Sequence, residues 1–264
     1  MTARIANIIL GGFTILVFGF ILTPIVSIVV FSFNADRFPS LPWGGFSLKW
    51  YAAILADETV RNGLSRSLRV AGIVAVISTF IGFATAYVDY RFRFVGKMAF
   101  IALAALPPTV PVLILGLAML SFFSLIDMVG TLRGVIAGHV VVCAPFAMAL
   151  IRMRLADMSP DLEGAAWNLG ATRWATMRSV VVPFCRPAII SALAITAAVS
   201  FDEFMIAWFV SGINETLPVR ILAMLQGQVS PRINAIGSLV FFFSITMVAI
   251  AQVMASRKSK SEAN

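Results

Sequence analysis

Six apolar runs, separated by shorter polar segments, dominate the pattern along the chain. They are Ile8–Phe31, interrupted only by Pro24; Arg69–Tyr87, with its one Arg at the very start; Met98–Phe123; Val135–Ile151, the shortest, which contains His139; Pro187–Val210; and Ile236–Ala255. A bilayer core about 30 Å thick takes roughly 20 residues of helix, so each run predicts a membrane-spanning helix. The first run is too long for the apolar core of a signal peptide, and no small-residue cleavage site closes it, so it reads as a retained anchor. The expected fold class is all-α: a polytopic membrane protein of six transmembrane helices, with a long loop before the fifth. The expected organisation is a terminus and first helix at 1–31, a first outer loop at 32–66, a core of helices two to six at 67–255 containing the loop 152–186, and a tail at 256–264.

Composition agrees with this reading. Of 264 residues, 60% are hydrophobic and 12% charged, and the mean hydropathy is +0.95. A soluble domain is nearer half apolar and a quarter charged, so an ordinary soluble enzyme and a disordered chain are both excluded. The 18 Gly show no collagen period, and two Cys, Cys143 and Cys185, do not make a disulfide scaffold. The net charge of +8 is informative through its placement. With both termini cytoplasmic, twelve of the 20 Lys and Arg fall inside: Arg4; Arg91, Arg93 and Lys97; Arg152, Arg154, Arg173, Arg178 and Arg186; Arg257, Lys258 and Lys260. The outer eight, Arg37, Lys49, Arg61, Arg66, Arg69, Arg133, Arg220 and Arg232, are diluted by Asp36, Asp57, Glu58, Asp127 and Glu215. The positive-inside rule therefore puts both termini in the cytoplasm. The cations are a topology signal, and no nucleic-acid partner is expected. No metal-spaced cluster, phosphate-cradling loop or nucleophile elbow is present, so no cofactor is expected in this chain.

The loop 152–186 has its own helical grammar. Ser159 is placed to cap a helix, Pro160 suits its first position, and Asp161 and Glu163 lie where the helix dipole favours anions. The run Glu163–Leu169 then stops at Gly170, a residue suited to a left-handed cap. A second short helix is expected from Thr172, carrying Arg173, Trp174, Met177 and Arg178 before Pro183. Two short helices showing Trp, Met and Arg fit a protein-docking surface. The alternative is a pair lying in the headgroup region with Arg directed toward anionic membrane lipid.

Asp202 and Glu203 are the only carboxylates inside an apolar run. A charge at mid-membrane costs about 2.5–3.5 kcal/mol, so the pair should face a cavity or a partner. If the fifth helix starts near Pro187, Asp202 lies about 22 Å along it, in the outer half. Adjacent helical residues are about 100° apart, so one carboxylate points into a pathway while the other flanks it. Ser200 shares a face with Glu203, and Phe204 and Trp208 continue a stripe from Ser200. Carboxylates beside aromatic faces suit an organic polycation, and Trp43, Trp50 and Tyr51 of the first outer loop would add aromatic walls if that loop covers the entrance. The alternative is that the pair is neutralised by Arg of a neighbouring subunit. Leu106-Pro107-Pro108-Thr109-Val110-Pro111 breaks the third run, either to line a pathway or as a packed kink. His139 reads as a functional intramembrane group or as a hydrogen-bond partner of a neighbouring helix.

The sequence Glu163-Gly164-Ala165-Ala166, then Gly170, then nine residues and Val180-Val181-Val182-Pro183 resembles the cytoplasmic signature of ABC importer permeases, with Gly164 where that family has its Glu. Phe31-Ser32-Phe33-Asn34, Trp50-Tyr51, Ser200-Phe201-Asp202-Glu203-Phe204 and Val229-Ser230-Pro231-Arg232-Ile233-Asn234-Ala235 resemble the second permease of spermidine/putrescine-type importers. The resemblance implies half of a translocation pore in the bacterial inner membrane. It implies as partners a second permease, two ATPase subunits that bind ATP and Mg, and an extracytoplasmic solute-binding protein. It implies coupling to the ATPase through Glu163, Gly164, Ala165, Ala166, Gly170, Arg173, Trp174, Met177, Arg178 and Pro183, and a substrate path at Asp202 and Glu203 driven by alternating access. That subfamily often carries an acid where the third run here has proline. The same machine for another solute (an opine, a metal chelate or an anion) and a proton-coupled secondary transporter remain alternatives.

Overall fold

The computed structural model of the chain describes residues 2–36, 43–159, 161–227 and 231–261. Pro160, Arg37 and the Val229-Ser230 pair lie outside them. In chain order the helices are α1 (Thr2–Ser32), α2 (Lys49–Ala56), α3 (Glu58–Arg91), α4 (Lys97–Ala105), α5 (Val112–Ser124), α6 (Leu132–Ala156), α7 (Asp161–Asn168), α8 (Arg173–Thr176), α9 (Val182–Asp202), α10 (Met205–Val210), α11 (Leu217–Gly227) and α12 (Pro231–Ser261). Five helical runs among the described residues are long and apolar enough to cross a bilayer: Ile5–Ser32, Glu58–Arg91, Leu132–Ala156, Arg173–Asp202 and Pro231–Ile250. The third expected run is instead two shorter helices, α4 and α5, joined by a 3-10 turn over Pro107–Thr109. Each proline lacks an N–H and crowds the preceding turn, so three within five residues end the helix and restart it.

The chain divides into two compact units. The first comprises residues 1–61 and 220–241. Here the segment after α1 folds back through an Asn34–Phe46 bridge. Phe33 stacks between Phe46 (5.1 Å) and Tyr51 (5.3 Å). Trp50 Nε1 donates to the Asn34 carbonyl at 2.8 Å, and the Tyr51 hydroxyl shares a 2.8 Å hydrogen bond with Ser32. Both aromatics thus tie the outer loop to the end of α1. Most of α1 itself is exposed apolar surface, with Ile15 76% and Phe20 79% exposed, as a lipid-facing anchor requires. Asp57 starts α3 by accepting from the Thr59 hydroxyl and N–H, and these bonds hold its carboxyl below the usual carboxylate range.

The second unit, 62–219 and 242–264, holds two apolar clusters. One gathers Val70, Val74, Met119, Phe123, Val135, Ile206 and Val210; the other gathers Ala86, Ala147, Met148, Ile151, Leu155, Val181 and Ala192. The helices α3 and α6 touch where Gly82 meets Ala147. A Cβ on Gly82 would fall 2.6 Å from the Met148 backbone nitrogen and 2.7 Å from the Ala147 Cβ. Small residues at such crossings let helices approach closely. Gly82→Leu should therefore wedge these helices apart, costing about 1–3 kcal/mol or more. Gly72→Leu, where nothing lies within 4 Å, should be tolerated. The thermal midpoint of the detergent-extracted chain checks both.

The fifth run departs from expectation at both ends. Its helix does not begin at Pro187, and the short helix from Thr172 does not stop before Pro183. Instead Arg173–Asp202 is one continuous helical run, with a π-helical turn at Met177–Val181. That wider turn lies just ahead of Pro183, where it relieves the clash a proline ring makes with the preceding turn. Helix α6 likewise continues to Ala156, so the connecting segment is 157–172, shorter than the expected 152–186.

Candidate functional site

Two places in the second unit gather polar groups. The first is the far end of α9. The expected continuous helix to Val210 breaks after Asp202: Glu203 takes an extended backbone (φ −67, ψ 120), and α10 starts at Met205. A break leaves backbone N–H groups without carbonyl partners, and the Glu203 carboxylate replaces them. Ile206 N donates to it at 3.1 Å and Ala207 N at 3.2 Å. Behind it, His139 of α6 places Nε2 3.4 Å from Glu203 Oε2 and shares a 3.0 Å hydrogen bond through Nδ1 with Ser200 Oγ. His139 and Ser200 are buried. The imidazole thus bonds the neighbouring helix α9 through Ser200, while its Nε2 lies close to Glu203 without a hydrogen bond among the described residues. The stripe expected to run unbroken from Ser200 through Phe204 to Trp208 is interrupted by the break, although the Phe204 and Trp208 rings remain 5.8 Å apart. The two acids have different environments. Glu203 is turned into the protein, whereas Asp202 is exposed, with no hydrogen bond or ion pair among the described residues.

The second place is the connection 157–172. Asp161 N bonds Ser159 Oγ at 3.3 Å, and Gly170 adopts φ +84, the left-handed stop expected of it. Thr172 caps α8 by accepting from Ala175 N at 3.2 Å. Glu163 is buried: the Tyr87 hydroxyl donates to Oε1 and Arg91 Nε pairs with Oε2, both at 3.2 Å. The Arg91 guanidinium also lies 4.6 Å from the Trp167 ring centre. Nearby, Asp89 pairs with Arg152 (2.6 Å) and Lys97 (3.2 Å). The end of α3 therefore clamps α7, α6 and the start of α4. Glu163 belongs to this clamp, and Gly164 has open space where a Cβ would stand. Leu169 (89%) and Trp174 (75%) present apolar surface outward. Ala165, Gly170, Arg173, Arg178 and Pro183 are exposed, while Ala166 and Met177 are half-buried. Tyr87, Asp89 and Arg91 were absent from the sequence-based site. They sit at the end of an apolar run, where their polarity alone does not reveal a partner distant in sequence.

Residues 70–260 match the family described as the binding-protein-dependent transport system inner membrane component. The chain belongs to that family. It is a permease of the ABC importer kind, which removes the proton-coupled alternative. The permease is 29% identical over 257 residues to the spermidine/putrescine transport system permease protein PotC of Escherichia coli K12, covering 97% of each chain. It is 32% identical over 241 residues to the putrescine transport system permease protein PotI of the same strain, covering 88% of the permease and 84% of PotI. Its fold is shared with a chain of a bacterial ABC transporter involved in the import of the acidic polysaccharide alginate, at TM-score 0.74 and 15% identity over 97% and 96% of the two chains.

Proposed function

We propose that this permease forms half of the pathway by which an ATP-driven importer moves a polyamine such as spermidine or putrescine across the bacterial inner membrane. The observation that carries the solute class is the match to PotC along 97% of both chains, joined to an exposed Asp202, without hydrogen bond or ion pair among the described residues, that closely precedes the Phe204–Trp208 ring pair in sequence. A carboxylate and aromatic faces suit an alkyl-ammonium, which gains charge-assisted hydrogen bonds and cation–π contact. The partners are a second permease, two ATPase subunits and an extracytoplasmic binding protein, and both termini lie in the cytoplasm. ATP and Mg are handled by the ATPase.

The continuous run from Arg173 to Asp202 supports a mechanical link. It spans about 44 Å at 1.5 Å per residue. Trp174 sits exposed near one end and Asp202 at the other, with no flexible connection between them. ATPase closure pressing on Leu169 and Trp174 would tilt this rod, and the break capped by Glu203 would serve as its pivot. The segment 157–172, braced by the Glu163 clamp, is the lever that receives the push.

Trp174→Ala and Gly170→Arg test the lever. Among the described residues nothing lies within 4 Å of a Cβ at Gly170, so Arg there strains only the local backbone and acts mainly on whatever docks. Loss of an interface anchor weakens docking by about 2 kcal/mol or more, roughly thirtyfold. Both variants should reach the membrane normally, while uptake falls at least tenfold on that scale and ATP hydrolysis no longer responds to solute. Normal coupled uptake in both would remove the docking role.

A further inference from the structure

Between α3 and α9 runs an apolar groove of about 610 Å³, walled by Val76, Phe80 and Ala84 on one side and by Ile189 and Leu193 on the other, with Trp174 also in its lining. From Val76 to Tyr87 it follows α3 for about 17 Å, close to the roughly 15 Å half-thickness of a bilayer core. Its walls are almost wholly apolar, as a hydrocarbon chain lying along it requires.

Tyr87 also lines a second pocket of about 240 Å³, together with Arg91, Trp167, Arg173 and Thr176. Arg91 is neutralised by Glu163 at 3.2 Å. Arg173 has no ion pair or hydrogen bond among the described residues, so its charge is uncompensated. An apolar slot one leaflet long thus adjoins a free guanidinium, the complement of an acyl chain ending in a phosphate diester. We propose that the groove holds one acyl chain of an anionic phospholipid, from the leaflet on the side of the 157–172 segment, with its phosphate at Arg173. Lipid at this point touches both the receiving end of the long helical run and the clamp on α7. The membrane's anionic content would then bear on the position of the lever.

The full chain, exchanged into vesicles of equal parts phosphatidylcholine and phosphatidylglycerol, extracted in mild detergent and washed, provides the test by mass spectrometry of retained lipid. One unpaired cation near a membrane surface should favour phosphatidylglycerol by about fivefold. Arg173→Gln should keep bound lipid and lose the preference. Ala84→Phe should fill the groove and lose both lipids, and because Ala84 is exposed the larger ring does not enter the core. Leu193→Phe repeats the test from the α9 side, and gel filtration reports folding. Equal retention of the two lipids by the parent chain, or a preference unchanged in Arg173→Gln, would overturn the proposal. So would Ala84→Phe and Leu193→Phe variants that retain lipid but no longer bind the ATPase, since the groove would then belong to a protein partner.

Discussion

Asp202→Asn is expected to lower spermidine uptake by roughly three- to tenfold while leaving the amount of permease in the membrane unchanged. The side chain keeps its size and loses only its charge. A hydrogen bond to a charged group contributes about 1.5–3 kcal/mol, against roughly half that for a neutral pair. Because Asp202 is exposed and bonds nothing else among the described residues, the fold has little to lose from the change. Uptake of labelled spermidine, set against membrane abundance of the chain, separates transport from assembly. Uptake at the parental rate would take Asp202 off the solute path.

Glu203→Ala should act differently, through stability. Its carboxylate satisfies the first N–H groups of α10 and stands beside buried His139. Loss of a helix-capping side chain costs about 0.5–2 kcal/mol, and a buried polar group left without its partner costs about 1–3 kcal/mol. These effects share atoms and do not simply add, so a total of about 2–4 kcal/mol is expected. The thermal midpoint of the detergent-solubilised chain should fall clearly for Glu203→Ala and less for Glu203→Gln, which keeps a carbonyl acceptor. Adding His139→Ala to Glu203→Ala should cost less than the two single losses combined. An unchanged midpoint together with abolished uptake would place Glu203 on the pathway, beside Asp202.

The contrast between these two acids marks the limit of what the chain's pattern reveals. The apolar runs were legible because hydropathy along a span is a local property, and the prolines at 107, 108 and 111 announced the interruption of the third run. Gly170 and Thr172 were legible for the same reason, since capping is chemistry within a few residues. The outer limits of α3 were not legible. Polar residues such as Arg61 and Arg91 keep the helix hydrogen-bonded beyond its apolar stretch, and hydropathy does not register that. Nor was the break after Asp202, because Glu is a good helix former and the break shows only when the Glu203 carboxylate turns to cap the N–H groups of Ile206 and Ala207. Glu163 stood out in the sequence through the signature it opens. Its burial against Tyr87 and Arg91 depends on how the end of α3 meets α7, a long-range packing fact that no local pattern carries.

The most direct measurement of the central claim is solute-dependent ATP hydrolysis by the complete transporter in proteoliposomes: this permease with its partner permease, ATPase and binding protein. Spermidine or putrescine, presented by the binding protein, should raise the hydrolysis rate well above its basal level, and Trp174→Ala should remove that rise while leaving the basal rate in place. Hydrolysis indifferent to both polyamines but driven by another solute would contradict the account.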